Sequence, residues 1–162
     1  MVLCGLFAAL TVICSWISIP VFHVTFTLQT FALYLALFTL GGKWGTGCIA
    51  VYLLLGAVGL PVFSGFRGGM GALLGVTGGF LWGFLLAALT YWALYKLCKP
   101  IGVIVGLLLC YACGCGWYCL YMGNVGLPAA ILQCVLPYVI PDLLKISLAY
   151  SLSTRLQRQI VV

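Results

Sequence analysis

Apolar runs occupy nearly the whole length of this chain and leave it with almost no charge to face water. Of its 162 residues, 65% are hydrophobic and 5% are charged, whereas an ordinary soluble domain has about 25% charged residues. A chain of this composition cannot cover its surface in water, so we expect it to cross a membrane. The candidate spans are Val2 to Ile19, Val21 to Leu40, Trp44 to Val58, Leu73 to Leu97, Ile101 to Met122, and Ala129 to Leu152.

These spans are not equally convincing. A helix needs about 20 apolar residues to cross a bilayer, and the stretch from Trp44 to Val58 is shorter than that. The first stretch has the length of a signal peptide, but it lacks a basic n-region and a small-residue cleavage site, so we expect a mature helix. The sequence therefore predicts an all-α integral membrane protein that forms one domain over residues 1–162 and has six transmembrane helices.

Positive charge is distributed unevenly between the connecting segments. Seven Lys and Arg residues against one Asp give a formal charge of +6, which in a soluble protein would point to nucleic acid. If both termini lie inside, the outer loops contain only Arg67 and the cytoplasmic segments contain five basic residues, as the positive-inside rule requires. We therefore expect cytoplasmic termini, with membrane lipid and no nucleic acid around the chain. The five are Lys43, Lys96, Lys99, Arg155 and Arg158.

The last apolar stretch contains the one acidic residue of the chain. Pro141 fits the first turn of a helix, so we expect the final helix to start near Tyr138, after a loop or short interfacial helix over residues 129–136. Asp142 and Lys145, three residues apart, share a face of that helix. Each costs about 2.5–3.5 kcal/mol at mid-membrane, so they need each other or a polar cavity. Two interpretations stay open: a binding site, or an ion pair that only locks the helix.

A glycine-rich segment from Gly59 to Gly79 is predicted to be the outer loop between the third and fourth helices. Glycine permits positive φ angles and close backbone approach, so the segment either wraps a small ligand or is a floppy connector. Arg67 lies within this segment. It either helps to bind the small ligand or contacts lipid phosphate. Gln29, early in the second span, is expected to face inward, toward a ligand or another helix. A short outer loop from Val21 to Phe26, which includes His23, precedes it.

Small residues and cysteines are frequent inside the spans. Gly5 and Ala9 have small-xxx-small spacing, which suits either docking of another membrane helix or internal packing. Four of the nine cysteines cluster in the fifth span but scatter around the helix, so we expect packing residues and no metal site. The chain has no phosphate-binding loop and no nucleophile with a base, so no catalytic residue and no cofactor is predicted. The four cysteines are Cys110, Cys113, Cys115 and Cys119.

Several motifs, taken together, resemble the BioY family, the biotin-specific substrate subunits of energy-coupling-factor (ECF) transporters. The resemblance covers nearly the whole chain. Two departures stand out: the Pro-Gly-Asp typical of the family before the last helix is Ile140-Pro141-Asp142 here, and Gly5 stands where alanine is common. The motifs are Ile17-Ser18-Ile19-Pro20, Thr27-Leu28-Gln29-Thr30-Phe31, the run from Tyr52 to Phe63, the glycines around Arg67, Thr77-Gly78-Gly79, and Asp142-Leu143-Leu144-Lys145.

The resemblance implies a six-helix substrate-binding subunit in a bacterial inner membrane. Such a subunit captures biotin from outside and delivers it to the cytoplasm together with a coupling membrane protein and two ATPases, while the chain itself hydrolyses nothing. Arg67 then suits the carboxylate of biotin, Asp142 a ureido N–H, Lys145 the ureido oxygen or Asp142, and Gln29 either end. The opposite assignment, with Lys145 on the carboxylate, is also physically possible. Gly5 and Ala9 are expected to dock the coupling protein.

Three other functions remain open at this stage. A related subunit for another small vitamin would differ in the ligand that it binds. A thiol-based membrane oxidoreductase would use the cysteine cluster of the fifth span. A structural or channel-forming protein would need a row of pore-lining polar residues, and no such row is visible in the sequence.

Overall fold

The computed structural model describes residues 2–21 and 24–160, and most of them are helical. The predicted helical character is therefore confirmed, with one short hairpin in addition. In chain order the elements are α1 (Val2–Trp16), β1 (Ser18–Val21), β2 (Val24–Thr27), α2 (Gln29–Ala57), α3 (Met70–Leu73), α4 (Gly78–Leu94), α5 (Lys99–Met122), α6 (Leu127–Cys134) and α7 (Leu136–Ile160).

Among the described helices, two are long and apolar enough to cross a membrane, namely α2 and α5. The pair α6 and α7, which meet at a bend of 41°, passes the same test if it is one broken span. Helices α1 and α4 are apolar but shorter. The chain is thus built for a membrane, while the count of six spans stays a prediction.

Helix α2 consists of two segments that meet at Gly41. Gly41 has φ 78° and ψ 174°, a conformation outside the helical region that glycine adopts without a steric penalty. The second segment lies close against the first. A Cβ atom built on Gly45 would lie only 2.8 Å from the Cα atom of Leu37. The two apolar stretches that the sequence separates at residues 41–43 are therefore two separate helical segments.

Helix α2 lies at the centre of the helical packing, against α1, α4 and α7, and α4 packs on α5. The contact between α4 and α5 uses glycines that leave room for a facing side chain or backbone. Gly79 lies against Trp117, and Gly114 lies against Phe80. Small residues at helix crossings are typical of membrane proteins, where close backbone approach replaces the hydrophobic effect as a driving force.

The segment expected to be a loop from Val21 to Phe26 takes part in an antiparallel hairpin. Strands β1 and β2 pair with Ser18 opposite Thr27 and Ile19 opposite Phe26. The expectation of a plain loop was wrong, because the β-branched and aromatic residues of β2, Val24-Thr25-Phe26-Thr27, favour strand pairing. His23 lies outside the described residues.

Helix α7 starts earlier than predicted. It begins at Leu136, so Pro141 lies inside the helix and not in its first turn. Proline lacks the N–H that would bond to the carbonyl of Pro137, and the helix accommodates that loss near its end, where few turns are affected. The preceding segment is a short helix, α6, as one of the two sequence interpretations anticipated.

The connection between α2 and α4, residues 58–77, is called the glycine loop below. Gly59, Gly65 and Gly69 have positive φ angles, and the loop contains α3 and a bridge between Phe63 and Arg67. The loop predicted from the sequence, Gly59 to Gly79, extends two residues too far, since Gly78 and Gly79 already belong to α4. The amide of Gly69 donates a hydrogen bond to the Gly56 carbonyl at 2.7 Å, so the loop returns to the end of α2.

Candidate functional site

The polar residues that the sequence singles out line one cavity. Gln29 on α2, Arg67 in the glycine loop, and Asp142 and Lys145 on α7 all contribute to its wall. The cavity has a volume of about 80 Å³, several times the roughly 10–15 Å³ that one water molecule needs. The space is therefore suited to a small ligand and not only to a single solvent molecule.

Asp142 and Lys145 form an ion pair at the buried end of this cavity. The Lys145 Nζ atom donates to Asp142 Oδ1 at 2.9 Å, and each residue is only 6% exposed. Their spacing along α7 places them one turn apart on the same face, which is why they meet. The pair satisfies the requirement that a buried charge find a partner, and it also faces the cavity.

Lys145 is held by the hairpin as well as by Asp142. Its Nζ atom donates to the Thr27 carbonyl at 2.7 Å and lies 3.8 Å from the centroid of the Phe26 ring. A cation over an aromatic face is attracted by the ring quadrupole, most strongly where water is excluded. The ring of Tyr138 stacks on Phe26 at 6.4 Å between centroids. The unpredicted hairpin therefore helps to build the site.

Tyr111 on α5 is a site residue that the sequence did not reveal. Its hydroxyl donates to Asp142 Oδ2 at 2.7 Å, so both oxygens of the carboxylate have a donor. Tyr111 is buried and lines the cavity. The available signal was weak: it is a polar aromatic residue in the middle of an otherwise apolar span, 31 residues away from its partner.

Gln29 faces both the cavity and a neighbouring helical segment. Its Nε2 atom donates to the Tyr52 hydroxyl at 2.8 Å, and Tyr52 donates to the Val62 carbonyl in the glycine loop at 3.1 Å. The Ser15 hydroxyl of α1 donates to the same carbonyl at 2.6 Å. A chain of hydrogen bonds therefore connects the cavity wall to the loop and to the first helix.

Arg67 lies at the exposed rim of the cavity. Its Nε atom donates to the Ser64 carbonyl at 3.1 Å, and the Ser64 hydroxyl donates to Thr25 Oγ1 of the hairpin at 3.0 Å. Within the described residues, no carboxylate pairs with Arg67. The guanidinium keeps further N–H donors that these contacts do not use. The rim is therefore positively charged, beside a loop of small and polar residues.

The glycine loop is attached at both ends by hydrogen bonds to neighbouring helices. At its start, the Trp16 indole donates to the Pro61 carbonyl at 2.8 Å, and the Trp16 ring lies 5.0 Å from that of Phe66. At its end, the Trp117 indole donates to the Gly75 carbonyl at 3.0 Å. These bonds tie the loop to α1 and α5.

Most of the cavity wall between the buried end and the rim is apolar. Such walls, with a few placed polar groups, are typical of small-molecule sites, because the apolar surface supplies affinity and the polar groups fix orientation. The apolar and aromatic side chains come mainly from α2, α4 and α5. They include Leu33, Tyr34, Phe63, Phe80, Leu81, Phe84 and Leu107.

The nine cysteines are all free thiols, and three of them, Cys115, Cys119 and Cys134, belong to one packed cluster. Cys110 and Cys134 line the cavity, whereas Cys115 is buried against α6. Over residues 2–21 and 24–160, no three His, Cys, Asp or Glu side chains come close enough to hold a metal ion.

Two small residues of α1, Gly5 and Ala9, lie on its exposed face. Gly5 and Ala9 are both exposed, and a Cβ atom built on Gly5 would have no other atom within 4 Å. The buried face of α1 is formed by other residues, such as Phe7 and Thr11. Gly5 and Ala9 therefore do not pack inside this chain.

The fold and the site define a class of protein. A chain of apolar helices around a cavity lined by a buried ion pair and an exposed arginine has the build of a membrane protein with a small-molecule pocket. The chain belongs to the BioY family, whose model matches residues 1–161. It is a multi-pass membrane protein of a transporter family and not an enzyme.

Curated relatives match over nearly their full length. The chain is 40% identical over 159 residues to the biotin transporter BioY of Thermotoga maritima, covering 95% of this chain and 93% of that protein. It is 37% identical over 155 residues to the probable biotin transporter BioY of Pyrococcus horikoshii, covering 96% and 94%.

A solved structure has the same fold. It is the S-component for biotin from an ECF-type ABC transporter, with a TM-score of 0.87 and 25% sequence identity, and the match covers 97% of this chain and 89% of that one. The resemblance noted from sequence motifs is therefore confirmed at the level of the family and the fold.

Proposed function

We propose that this protein is a biotin uptake subunit that captures biotin in the cavity between α2, α5, α7 and the glycine loop. The observation that carries the proposal is the convergence of Gln29, Arg67, Asp142 and Lys145 on one cavity in a chain of the BioY family. Biotin has a ureido group, an apolar body and a carboxylate. The cavity offers an ion pair, apolar walls and a cationic rim in the same order.

The ion pair recognises the ureido group. A cyclic urea presents an N–H donor beside a carbonyl acceptor, and Asp142 and Lys145 present an acceptor beside a donor only 2.9 Å apart. Asp142 accepts a hydrogen bond from the N–H, and Lys145 donates to the ureido oxygen. Charge-assisted hydrogen bonds of this kind are about twice as strong as neutral ones. The ion pair thus serves as a binding site as well as a lock for the helix.

Arg67 takes the carboxylate. The two ends of the cavity differ in exposure, since Asp142 is 6% exposed and Arg67 is exposed. A carboxylate that binds at the rim keeps part of its hydration and gains bidentate donors from the guanidinium. Biotin therefore enters with its ureido group first. Gln29 contacts the ligand between the two ends, through its amide.

The glycine loop is the lid over the bound ligand. It carries Arg67 and Phe63, and it is attached to α1 and α2 through the hydrogen bonds of the Val62 carbonyl. Its glycines permit the backbone changes that opening requires. Binding of biotin to Arg67 favours the closed position of the loop.

The energy for uptake comes from partner proteins, by analogy with the matched S-component, which belongs to an ECF-type ABC transporter; the sequence of this chain contains no nucleotide-binding motif of its own. A coupling membrane protein and ATPase subunits supply the energy, and the coupling protein docks on the exposed face of α1 that contains Gly5 and Ala9. Small residues there allow a second helix backbone to approach closely. Membrane lipid covers the remaining apolar surface.

The chain crosses the cell membrane six times, with both termini in the cytoplasm. The support is the five-to-one excess of Lys and Arg on the cytoplasmic side of that topology. Terminal tags should be inaccessible to antibody in intact cells and accessible after permeabilisation. Labelling of either tag from outside intact cells contradicts this orientation.

The direct test of the function is identification of the ligand. Native mass spectrometry of the detergent-purified protein should detect one biotin per chain, and calorimetry should give saturable binding of added biotin. Binding of a different vitamin with higher affinity than biotin would assign the cavity to that vitamin. Saturation with neither ligand would refute the substrate-capture function.

The docking face has its own test. Replacing both Gly5 and Ala9 by Leu should abolish uptake in cells that contain the coupling partners, while biotin affinity stays within about twofold, since bulk keeps the partner helix away. Gly116→Leu on α5 is the matched control, because a Cβ atom there also meets nothing within 4 Å. Loss of binding together with uptake would mean that the α1 face supports the fold.

A further inference from the structure

We infer that Tyr111 is a positioning residue for the substrate: its hydroxyl fixes the orientation of the Asp142 carboxylate, and through it the alignment of the ureido group. The inference rests on the proposed function and extends it to a residue on a different helix, α5. It starts from the hydrogen bond that the Tyr111 hydroxyl donates to Asp142 Oδ2 at 2.7 Å.

Lys145 alone does not fix the orientation of the Asp142 carboxylate. An ammonium group is a compact charge with rotatable donors, and here it also bonds to the Thr27 carbonyl and lies over the Phe26 ring. It holds only the Oδ1 atom of Asp142, at 2.9 Å. The terminal torsion of an Asp side chain has broad minima. A carboxylate held at one oxygen therefore keeps rotational freedom that ligand binding would have to remove.

The other oxygen of the Asp142 carboxylate is held by Tyr111. Tyr111 approaches Oδ2 from α5, while Lys145 approaches Oδ1 from the same helix as Asp142, so the carboxylate is gripped from two helices. A tyrosine ring has few rotatable bonds, and Tyr111 is 8% exposed, so its hydroxyl is itself well fixed. With both oxygens held, the remaining lone pairs of the carboxylate keep one direction in the cavity.

The bond between Tyr111 and Asp142 also links α5 to α7. Among the described residues, α5 and α7 are not principal packing partners, because α5 packs mainly on α4 and α6 and α7 packs mainly on α2. The bond between Tyr111 and Asp142 therefore joins two walls of the cavity. Both residues line the cavity, so a ligand in the cavity would lie beside their bond. The distance between those walls is set in part by this bond.

The chain offers an unusually direct readout, since Asp142 is its only acidic side chain. Protein grown with aspartate labelled by ¹³C at the carboxyl group gives one side-chain carboxylate signal, in infrared or in ¹³C NMR spectra. Tyr111→Phe removes the hydroxyl and keeps the ring. Tyr118→Phe is the matched control, because Tyr118 is also buried on α5, two turns away, and its hydroxyl donates to Gln133.

Without ligand, Tyr111→Phe should shift the Asp142 carboxylate signal, and Tyr118→Phe should leave it in place. Biotin affinity should fall about tenfold for Tyr111→Phe, the change expected from the loss of one charge-assisted hydrogen bond. It should fall by the same factor for biotin amide, because the ureido end is common to both ligands. Tyr118→Phe should change either affinity by less than about twofold. Purification with excess biotin, followed by dialysis, retains folded protein even where the variant is less stable.

Three results would overturn the inference: an unshifted carboxylate signal in Tyr111→Phe, a shifted signal with unchanged biotin affinity, or equal losses of affinity in the Tyr111 and Tyr118 variants. Failure of the proposed function looks different. In that case the carboxylate signal of the unmodified protein does not respond to biotin, whatever the Tyr111 variant does.

Discussion

The two ends of the cavity are built in opposite ways. At the buried end, Asp142 is held by Lys145 and Tyr111, and each of these side chains belongs to a regular helix. At the rim, Arg67 belongs to the glycine loop and contacts its own loop through the Ser64 carbonyl. Rigid helices keep donors and acceptors in place before the ligand arrives, whereas a loop can move to admit it. We therefore expect the buried end to govern affinity and the rim to govern charge selection and the rates of exchange.

The largest effect is expected at the buried end. Asp142→Asn keeps the size of the side chain and removes the charge that strengthens its hydrogen bond to the ureido group. Biotin affinity should fall by about a hundredfold or more, the range expected for a charged hydrogen bond whose partner stays buried. Lys145 loses its counterion, so the free energy of unfolding should also fall.

Titration calorimetry and thermal unfolding of the same Asp142→Asn sample separate these effects. A stability loss with unchanged biotin affinity would mean that the ion pair is only a lock and that the ends of the cavity do not differ as proposed. Gln157→Ala, on the same helix but away from the cavity, is the control for a general loss of α7 stability, since its amide bonds to the Phe38 carbonyl.

A smaller and more selective effect is expected at the rim. Arg67→Ala should weaken biotin about tenfold more than it weakens biotin amide, because only the acid offers a carboxylate to the guanidinium. The protein should remain folded, since Arg67 is exposed. Competition binding with both ligands measures the ratio, with Arg155→Ala on α7 as a control at another exposed arginine. Equal losses for the two ligands would mean that Arg67 does not recognise the carboxylate.

The sequence was most informative where the membrane restricts chemistry. In an apolar chain each polar side chain is costly, so Asp142 and Lys145 stood out, and their spacing of three residues placed them together. The structure brings them together with Gln29 and Arg67 in one cavity. The free-energy cost of polar side chains in a membrane therefore identified candidate site residues without knowledge of the fold. Their contact with a ligand stays a prediction.

The sequence was least informative where a contact depends on how distant elements pack. Tyr111 meets Asp142 across 31 residues, and Tyr52 meets Gln29 across 23. Tyrosine is common in apolar helices as a packing residue, so neither one stood out. The hairpin was missed because its short strands lie between two long apolar runs and resemble a loop. No local pattern encodes the two tyrosine contacts, since they follow from the arrangement of α2, α5 and α7.

The smallest effect is expected where the glycine loop meets α1. The Ser15 hydroxyl donates to the Val62 carbonyl at 2.6 Å, but it also lies 2.7 Å from the Val12 carbonyl, and a hydroxyl has one proton to share. Tyr52 still serves the Val62 carbonyl when Ser15 is replaced. Ser15→Ala should therefore loosen the loop by only about 0.5–1.5 kcal/mol, the net value of one hydrogen bond.

If the loop must leave α1 before biotin can escape, that loosening appears as a dissociation rate about two- to tenfold higher, with the carboxylate-to-amide preference unchanged. A chase of labelled biotin measures the rate. Thr11→Val is the control, because Thr11 is buried on the same helix and its hydroxyl bonds within the helix to the Phe7 carbonyl. An unchanged rate for Ser15→Ala, or an equal rise for Thr11→Val, would mean that the rim does not open through its contact with α1, and loop motion would then have to be sought at the Trp117 end.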